Sequence, residues 1–80
     1  MDTTEAMRET WRRSGLTSRA ISEAMGRAPS WLSATLAKPR TSEAATVAAL
    51  ARVCGCELCI VPRDDVPQSA IVIDPPEGSR

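Results

Sequence analysis

The chain of 80 residues contains no histidine, no phenylalanine and no tyrosine, and its only aromatic side chains are two tryptophans. Without histidine, neither a Ser–His nor a Cys–His pair can form to activate a nucleophile. The sequence also has no glycine-rich loop of the kind that holds phosphate groups. These absences predict a protein that is not an enzyme and that needs no cofactor.

Cysteine is scarce as well, with three residues at positions 54, 56 and 59. A structural zinc site needs four ligands, and three cysteines without histidine do not supply them. An odd number also differs from the even numbers that are usual in secreted disulfide frameworks. Because Cys54 falls on an apolar helical face, we expect buried, reduced thiols and no metal.

Long apolar runs are missing too. No stretch is long enough to span a bilayer, and the acidic, polar start of the chain lacks the basic head and apolar middle of a signal peptide. The sequence predicts no membrane partner and a cytoplasmic location.

What the chain does contain is alanine, together with Leu, Ile, Val and Met, within an apolar share of 42%. Eighty residues suffice for one small domain, and side chains of this kind predict closely packed helices around a thin core. Thin cores often gain stability by association, so we expect a dimer.

The net charge is zero, but the charges are unevenly distributed. Residues 8–40 carry seven basic side chains and two acidic ones, which leaves +5, whereas acidic residues outnumber basic ones after position 61. Residues 8–40, called the basic front below, have the charge that is typical of a nucleic-acid-binding region. The acidic tail after position 61 indicates a different role. Solvated charges without a partner are an equally open interpretation.

Helical spacing and capping residues predict four helices. The first follows a cap at Asp2 or Thr3, and the second follows a cap at Thr17 or Ser18 and ends at Gly26. The third has Pro29 in its first turn, and the fourth follows a cap at Ser42. The predicted inward positions recur at helical spacing; they are Met7, Trp11, Ile21, Met25, Leu32, Leu36, Val47, Leu50 and Cys54.

The periodicity changes after the fourth helix. Residues 57–61 and 70–73 are short β-branched runs, and they predict two antiparallel strands that pair within one chain or between two chains. The predicted organisation is a helical domain over residues 1–56, a strand pair over 57–74 and a loose tail over 75–80.

Residues 16–58 resemble the lambda-repressor-like (Cro/repressor-type, XRE) helix-turn-helix family. The resemblance is carried by apolar, polar and glycine positions that match the family pattern, namely Leu16, Thr17, Ile21, Met25, Gly26, Leu32, Ser42, Val47, Leu50 and Gly55. The family implies a mainly α fold with a four-helix head, here followed by the two strands, and a transcriptional regulator, most simply a bacterial or prophage repressor. Relatives often read bases with Gln, Asn or Arg near the start of the recognition helix, where this chain has Pro29 and Ser30.

In such a protein the third helix enters the major groove. Ser30, Ser33 and Ala34 point away from its buried side and are the predicted base contacts, although a small exposed face of a helical bundle has the same pattern. Trp31 either lies against the DNA backbone or covers the core. The predicted backbone contacts are polar, cationic or aromatic residues around the two helices: Thr17, Ser18, Arg19, Arg27, Trp31, Lys38 and Arg40.

The predicted partner is double-stranded DNA, bound by a homodimer that places two third helices on successive major grooves. Dimerisation is assigned to Leu58, Ile60, Ile71 and Ile73 on the strands. Two alternatives stay open: an antitoxin whose C-terminal segment binds a toxin, and a protein-interaction module without DNA binding.

Overall fold

The structure is a computed structural model that describes residues 1–38 and 41–75. Within these ranges the chain forms four α-helices and one 3₁₀ turn: α1 (Thr3–Ser14), α2 (Ser18–Ala24), α3 (Trp31–Leu36), α4 (Ala44–Val53) and the turn at Arg63–Asp65. The predicted mainly helical fold with four helices is confirmed. Arg40 and residues 76–80 of the expected tail lie outside the described residues.

The first two helices begin where local side chains cap them. The Asp2 carboxylate accepts a hydrogen bond from the Glu5 amide at 2.8 Å, and the Thr17 hydroxyl accepts one from the Ala20 amide at 3.1 Å. Each cap satisfies an amide that has no partner within its helix. Of the alternatives left by the sequence, Asp2 and Thr17 are the capping residues.

The third and fourth helices begin later than the sequence predicts. Pro29 precedes α3, whose N-cap is Ser30, and the N-cap of α4 is Glu43. Ser42, the expected cap, instead has its amide bonded to the Thr3 hydroxyl at 3.1 Å. That hydrogen bond holds the segment before α4 against the first residue of α1, and α4 begins two residues later at Ala44.

The core is built from all four helices. Its buried apolar side chains come from the predicted inward faces and are Met7, Ile21, Leu32, Leu36, Val47 and Leu50. Trp11, Met25, Trp31, Val53 and Cys54 are partly buried and pack around this cluster. The indole nitrogen of Trp11 also donates to the Leu16 carbonyl at 2.9 Å, which holds the chain as it leaves α1.

The predicted β-strands are wrong for the described residues, because neither run 57–61 nor run 70–73 forms a strand there. Pro62 and Pro67 remove backbone donors between the runs, and the Asp65 amide closes a turn on the Pro62 carbonyl at 2.9 Å. Both runs line a groove of about 600 Å³ together with α1 and α4. They therefore face a common space instead of forming a ladder.

Hydrogen bonds to Arg13 of α1 and to Met1 hold the chain in and around the second run. The Arg13 guanidinium donates to the Ser69 carbonyl at 2.8 Å. The Met1 amino group donates to the Val72 carbonyl at 3.1 Å, and the Asp74 amide donates to the Met1 carbonyl at 2.9 Å. The C-terminal segment, residues 56–75, thus lies along the helical head.

Within the described part of the chain, no helix has the length and apolar character that crossing a membrane requires.

Candidate nucleic-acid interface

The candidate interface is built on α2, α3 and the corner between them. Gly26 has a φ of 72°, in the left-handed region that favours glycine. Its amide bonds to the Glu23 carbonyl at 3.0 Å, and the Arg27 amide bonds to the Ser22 carbonyl at 2.9 Å. These two bonds form a Schellman motif, which ends α2 and sends the chain towards α3.

Ser22 fixes the relative position of the two helices. Its side chain is fully buried; the hydroxyl donates to the Ser18 carbonyl at 2.8 Å and accepts from the Leu32 amide at 3.0 Å. An otherwise unpaired amide in the first turn of α3 is therefore satisfied from α2. The sequence indicated only a small residue at this position. A polar residue beside Ile21 on the buried face was the available signal, because buried hydroxyls need partners.

The other end of α3 is held by α1. The Arg8 guanidinium donates to the Leu36 carbonyl at 3.1 Å, across 28 residues of sequence. From the sequence alone, Arg8 had no predicted role beyond its positive charge. With Ser22 at one end and Arg8 at the other, α3 is attached to the rest of the head through its backbone.

The three predicted base-contact residues lie together on the outer face of α3. Ser30, Ser33 and Ala34 are exposed, whereas Leu32 and Leu36 point into the core. The Ser33 hydroxyl donates to the Ser30 carbonyl at 3.1 Å. Its oxygen can still accept a hydrogen bond from a ligand, and the Ser30 hydroxyl makes no capping bond.

Several basic residues that the sequence counted as cationic surface are paired with carboxylates. On α1, the Nε atoms of Arg12 and Arg13 each lie 2.8 Å from a Glu9 oxygen. These hydrogen bonds lower the pKa of Glu9 to about 2. On α2, the predicted backbone contact Arg19 pairs with Glu23 at 2.9 Å.

The cations beside α3 are not paired in this way. Arg27 precedes the helix and Lys38 follows it; both are exposed, and neither has a carboxylate partner among the described residues. Glu9 is shared by Arg12 and Arg13, so α1 keeps some positive charge, and further unneutralised charge of the basic front lies at the two ends of α3. This arrangement suits contacts with phosphate groups on either side of a groove.

Trp31 fits both interpretations that the sequence left open. It is partly buried and packs against the core, and the Arg27 guanidinium carbon lies 5.4 Å from its ring centroid. Core packing is therefore confirmed. A contact between the exposed edge of the ring and a DNA backbone stays a prediction.

The remaining predicted backbone contacts lie at the start of α2. The Thr17 hydroxyl caps the helix, and Ser18 is half-buried with its carbonyl bonded to Ser22. The Thr17 hydroxyl accepts in the capping bond and still has a proton to donate to a phosphate oxygen, but neither residue carries the positive charge of Arg27 and Lys38 beside α3.

No protein-family model, no curated protein and no solved structure matches the chain. What the interface can do is therefore inferred from the chain's own residues.

The predicted dimerisation residues lie in the C-terminal segment, where three of the four are exposed. Ile60 is fully exposed, Leu58 and Ile73 are more than one-third exposed, and Ile71 is half-buried in the groove. The structure places both runs at one surface, against α1 and α4. None of the described residues that line the groove belongs to α2 or α3.

The expectation that all three thiols are buried is wrong. Cys54 is partly buried at the end of α4, and burial raises the pKa of its thiol. Cys56 and Cys59 are exposed, because they follow the helix in a segment that lacks a covering layer. In the described ranges, no three acidic or thiol side chains are grouped as metal ligands.

Proposed function

We propose that this protein is a sequence-specific double-stranded DNA-binding protein that inserts α3 into the major groove. In this proposal α2 and α3 form a helix-turn-helix of the lambda-repressor-like type. The observation that supports it best is the exposed face of Ser30, Ser33 and Ala34, on a helix fixed at both ends and flanked by two unpaired cations.

The dimensions of α3 suit this role. Six residues rise about 9 Å at 1.5 Å per residue, and the major groove is about 12 Å wide. Serine hydroxyls can donate to or accept from base edges, and the Ala34 methyl group can contact a thymine methyl. Because these side chains are short, the shape and deformability of the DNA contribute much of the sequence preference.

Phosphate contacts supply most of the affinity in this proposal. Arg27 and Lys38 bind the backbone on either side of α3, and Trp31 lies against it beside Arg27. Thr17, Ser18, Arg19 and Arg40 are further proposed contacts. The net positive charge of the basic front steers the protein towards DNA.

We further propose that the DNA-binding form is a homodimer joined through the C-terminal segment. Leu58, Ile60 and Ile73 expose apolar surface that a second copy can cover. A two-fold dimer presents two copies of α3 to a pseudo-palindromic operator. Occupation of such an operator represses transcription most simply by blocking access to the promoter.

The second candidate function is binding of another protein through the same segment, as in an antitoxin or an interaction module. It is supported by the groove of about 600 Å³ and by the apolar side chains around it. In the antitoxin form of this candidate, α3 still binds DNA and the partner occupies the groove.

A salt titration of binding to random-sequence duplex DNA tests the proposal. We expect the logarithm of affinity to fall linearly with the logarithm of salt concentration, and Lys38→Gln to reduce the slope by roughly 0.9, the loss of one phosphate contact. Arg63→Gln is the matched control, because it removes the same charge from the C-terminal segment. Absence of DNA binding at low salt, or an equal effect of both variants, would contradict the proposal.

A further inference from the structure

A cleft with a cavity volume of about 290 Å³ lies between α3 and the start of α4. One side of the cleft is formed by Trp31 and Thr35 of α3 and by Arg27 in the turn before that helix, at intervals of four residues. Its other side is formed by residues 41–43 and by Thr46 of α4. The volume is close to the lower end of the roughly 300–1,000 Å³ typical of small-molecule sites.

The cleft contains two opposite charges that do not contact each other. Arg27 and Glu43 both line it, and no ion pair joins them. The Arg27 guanidinium is positioned over the Trp31 ring. The Glu43 carboxylate makes no capping hydrogen bond to α4. A ligand that carries both a negative and a positive group can therefore satisfy both side chains.

Thr35 provides an independent indication of a ligand. The residue is only 6% exposed, lines the cleft, and has no hydrogen-bond partner for its hydroxyl among the described residues. The described residues include no fully buried side-chain oxygen or nitrogen without a partner, so the Thr35 hydroxyl oxygen is accessible at the cleft surface. A hydroxyl there without a protein partner bonds to water or to a ligand. Here the cleft is the space from which such a partner can reach it.

We propose that this cleft binds a small zwitterion, of which a free amino acid is the simplest example. Its carboxylate pairs with Arg27 and its ammonium group pairs with Glu43. The Thr35 hydroxyl bonds to a polar group of the ligand between these two charges. A lone anion is repelled by Glu43 and a lone cation by Arg27, so single-charged ions bind weakly.

The site also links the ligand to DNA, and this link rests on the proposed function. Arg27 is both a wall of the cleft and a proposed phosphate contact at the start of α3. A ligand carboxylate that engages Arg27 competes with a DNA phosphate. By thermodynamic linkage, DNA weakens ligand binding by the same factor.

NMR titration of the ¹⁵N-labelled chain tests the site without DNA. The probes are the standard L-amino acids, added singly at 10 mM, with acetate, ethylammonium and inorganic phosphate as single-charged controls. We expect at least one amino acid to shift the Trp31 indole signal saturably. The Trp11 indole is bonded to the Leu16 carbonyl outside the cleft and should not move. Failure of every amino acid, or equal shifts with acetate or phosphate, would overturn the proposal.

Variants make the test specific. Glu43→Gln should weaken amino-acid binding about tenfold, and Thr35→Val, which keeps the side-chain shape, should weaken it severalfold. Glu57→Gln is the matched control, because it removes a carboxylate from the C-terminal segment. Unchanged binding in Glu43→Gln, or equal weakening in Glu57→Gln, would contradict the assignment.

A DNA titration with and without the effective amino acid tests the link. We expect lower DNA affinity with the ligand, and no such change in Glu43→Gln. If the ligand shifts Trp31 but DNA affinity is unaffected, the link is wrong and the site stands. If the chain binds the ligand but no DNA, the proposed function is wrong and the site stands.

Discussion

Ser22 is a fully buried polar residue whose hydroxyl joins two helices. The hydrogen bond that its hydroxyl donates to the Ser18 carbonyl is local, and it follows from the spacing of four residues within a helix. The other hydrogen bond comes from the Leu32 amide, ten residues away, and depends on how α3 packs. Sequence reasoning recognised that a small residue was needed here but had no means of finding that partner.

We predict that Ser22→Ala lowers the free energy of unfolding by about 1–3 kcal/mol, because the Leu32 amide loses its acceptor inside the protein. Urea denaturation followed by circular dichroism measures the change. Ser33→Ala, on the exposed face of α3, should change stability by less than about 0.5 kcal/mol. Equal effects of the two variants would show that the Ser22 bond does not hold α3 in place.

Gly26, in the corner between α2 and α3, has a backbone conformation that favours glycine. Its φ of 72° is costly for residues with a Cβ atom, and beyond its two chain neighbours no atom of the described residues lies within 4 Å of the position that a Cβ would occupy. We predict that Gly26→Ala costs about 1–2 kcal/mol from backbone strain alone. Gly26→Asn should cost less, because asparagine tolerates the left-handed region. A larger loss with Asn than with Ala, measured by thermal unfolding, would contradict this explanation.

Among the elements, the helices were predictable and the strands were not. Helix starts depend on side chains within three residues, as at Asp2 and Thr17, and the inward positions follow the helical period. The runs at 57–61 and 70–73 have β-branched composition, but a strand also needs a neighbouring backbone. The sequence contained no information about whether those backbones meet, and in the described residues they do not.

In the candidate site too, features set by nearby residues were predictable from the sequence, whereas features that depend on tertiary packing were not. Which side chains point outward from α3 could be predicted from spacing, and Ser30, Ser33 and Ala34 were placed correctly. The pairing of Arg19 with Glu23 was foreseeable from their spacing of four residues. The cleft beside Trp31 was not, because its walls come from segments that only tertiary packing brings together.

On α1, Glu9 makes stability depend on pH. Its pKa is lowered to about 2 in the folded state by hydrogen bonds from Arg12 and Arg13, and is near 4.5 without them. The stabilising contribution is therefore complete above about pH 4.5 and is lost as the pH falls towards 2. We predict that NMR titration of the Glu9 carboxyl has its midpoint near pH 2 and that an Arg12→Gln/Arg13→Gln variant moves it towards 4.5. An unchanged midpoint in that variant would contradict the assigned cause.

For the whole molecule, the important feature is the separation of two surfaces. The exposed face of α3 carries small polar side chains between two cations, whereas the C-terminal segment lies against α1 and α4 and exposes apolar side chains. Net charge, which is zero, conceals this separation. We propose that DNA binds the first surface and that a second copy of the chain binds the other.

We predict that the chain is a dimer at micromolar concentration by sedimentation equilibrium and that Ile60→Asp makes it monomeric, because a buried carboxylate at the interface is costly. Leu16→Asp is the matched control, since Leu16 is an exposed apolar residue outside the C-terminal segment. It should leave the dimer intact. A monomeric parent chain would contradict dimerisation, and loss of the dimer in both variants would contradict its assignment to the C-terminal segment.

Mapping the DNA-binding surface by NMR is the most direct test. The ¹⁵N-labelled chain is titrated at low salt with a duplex selected from random sequences for binding to it. If α3 reads the groove, the amide signals of residues 27–38 shift first and most, and Lys38→Gln reduces those shifts. If the largest shifts fall instead in residues 57–73, or no duplex is selected, α3 is not a DNA-reading helix.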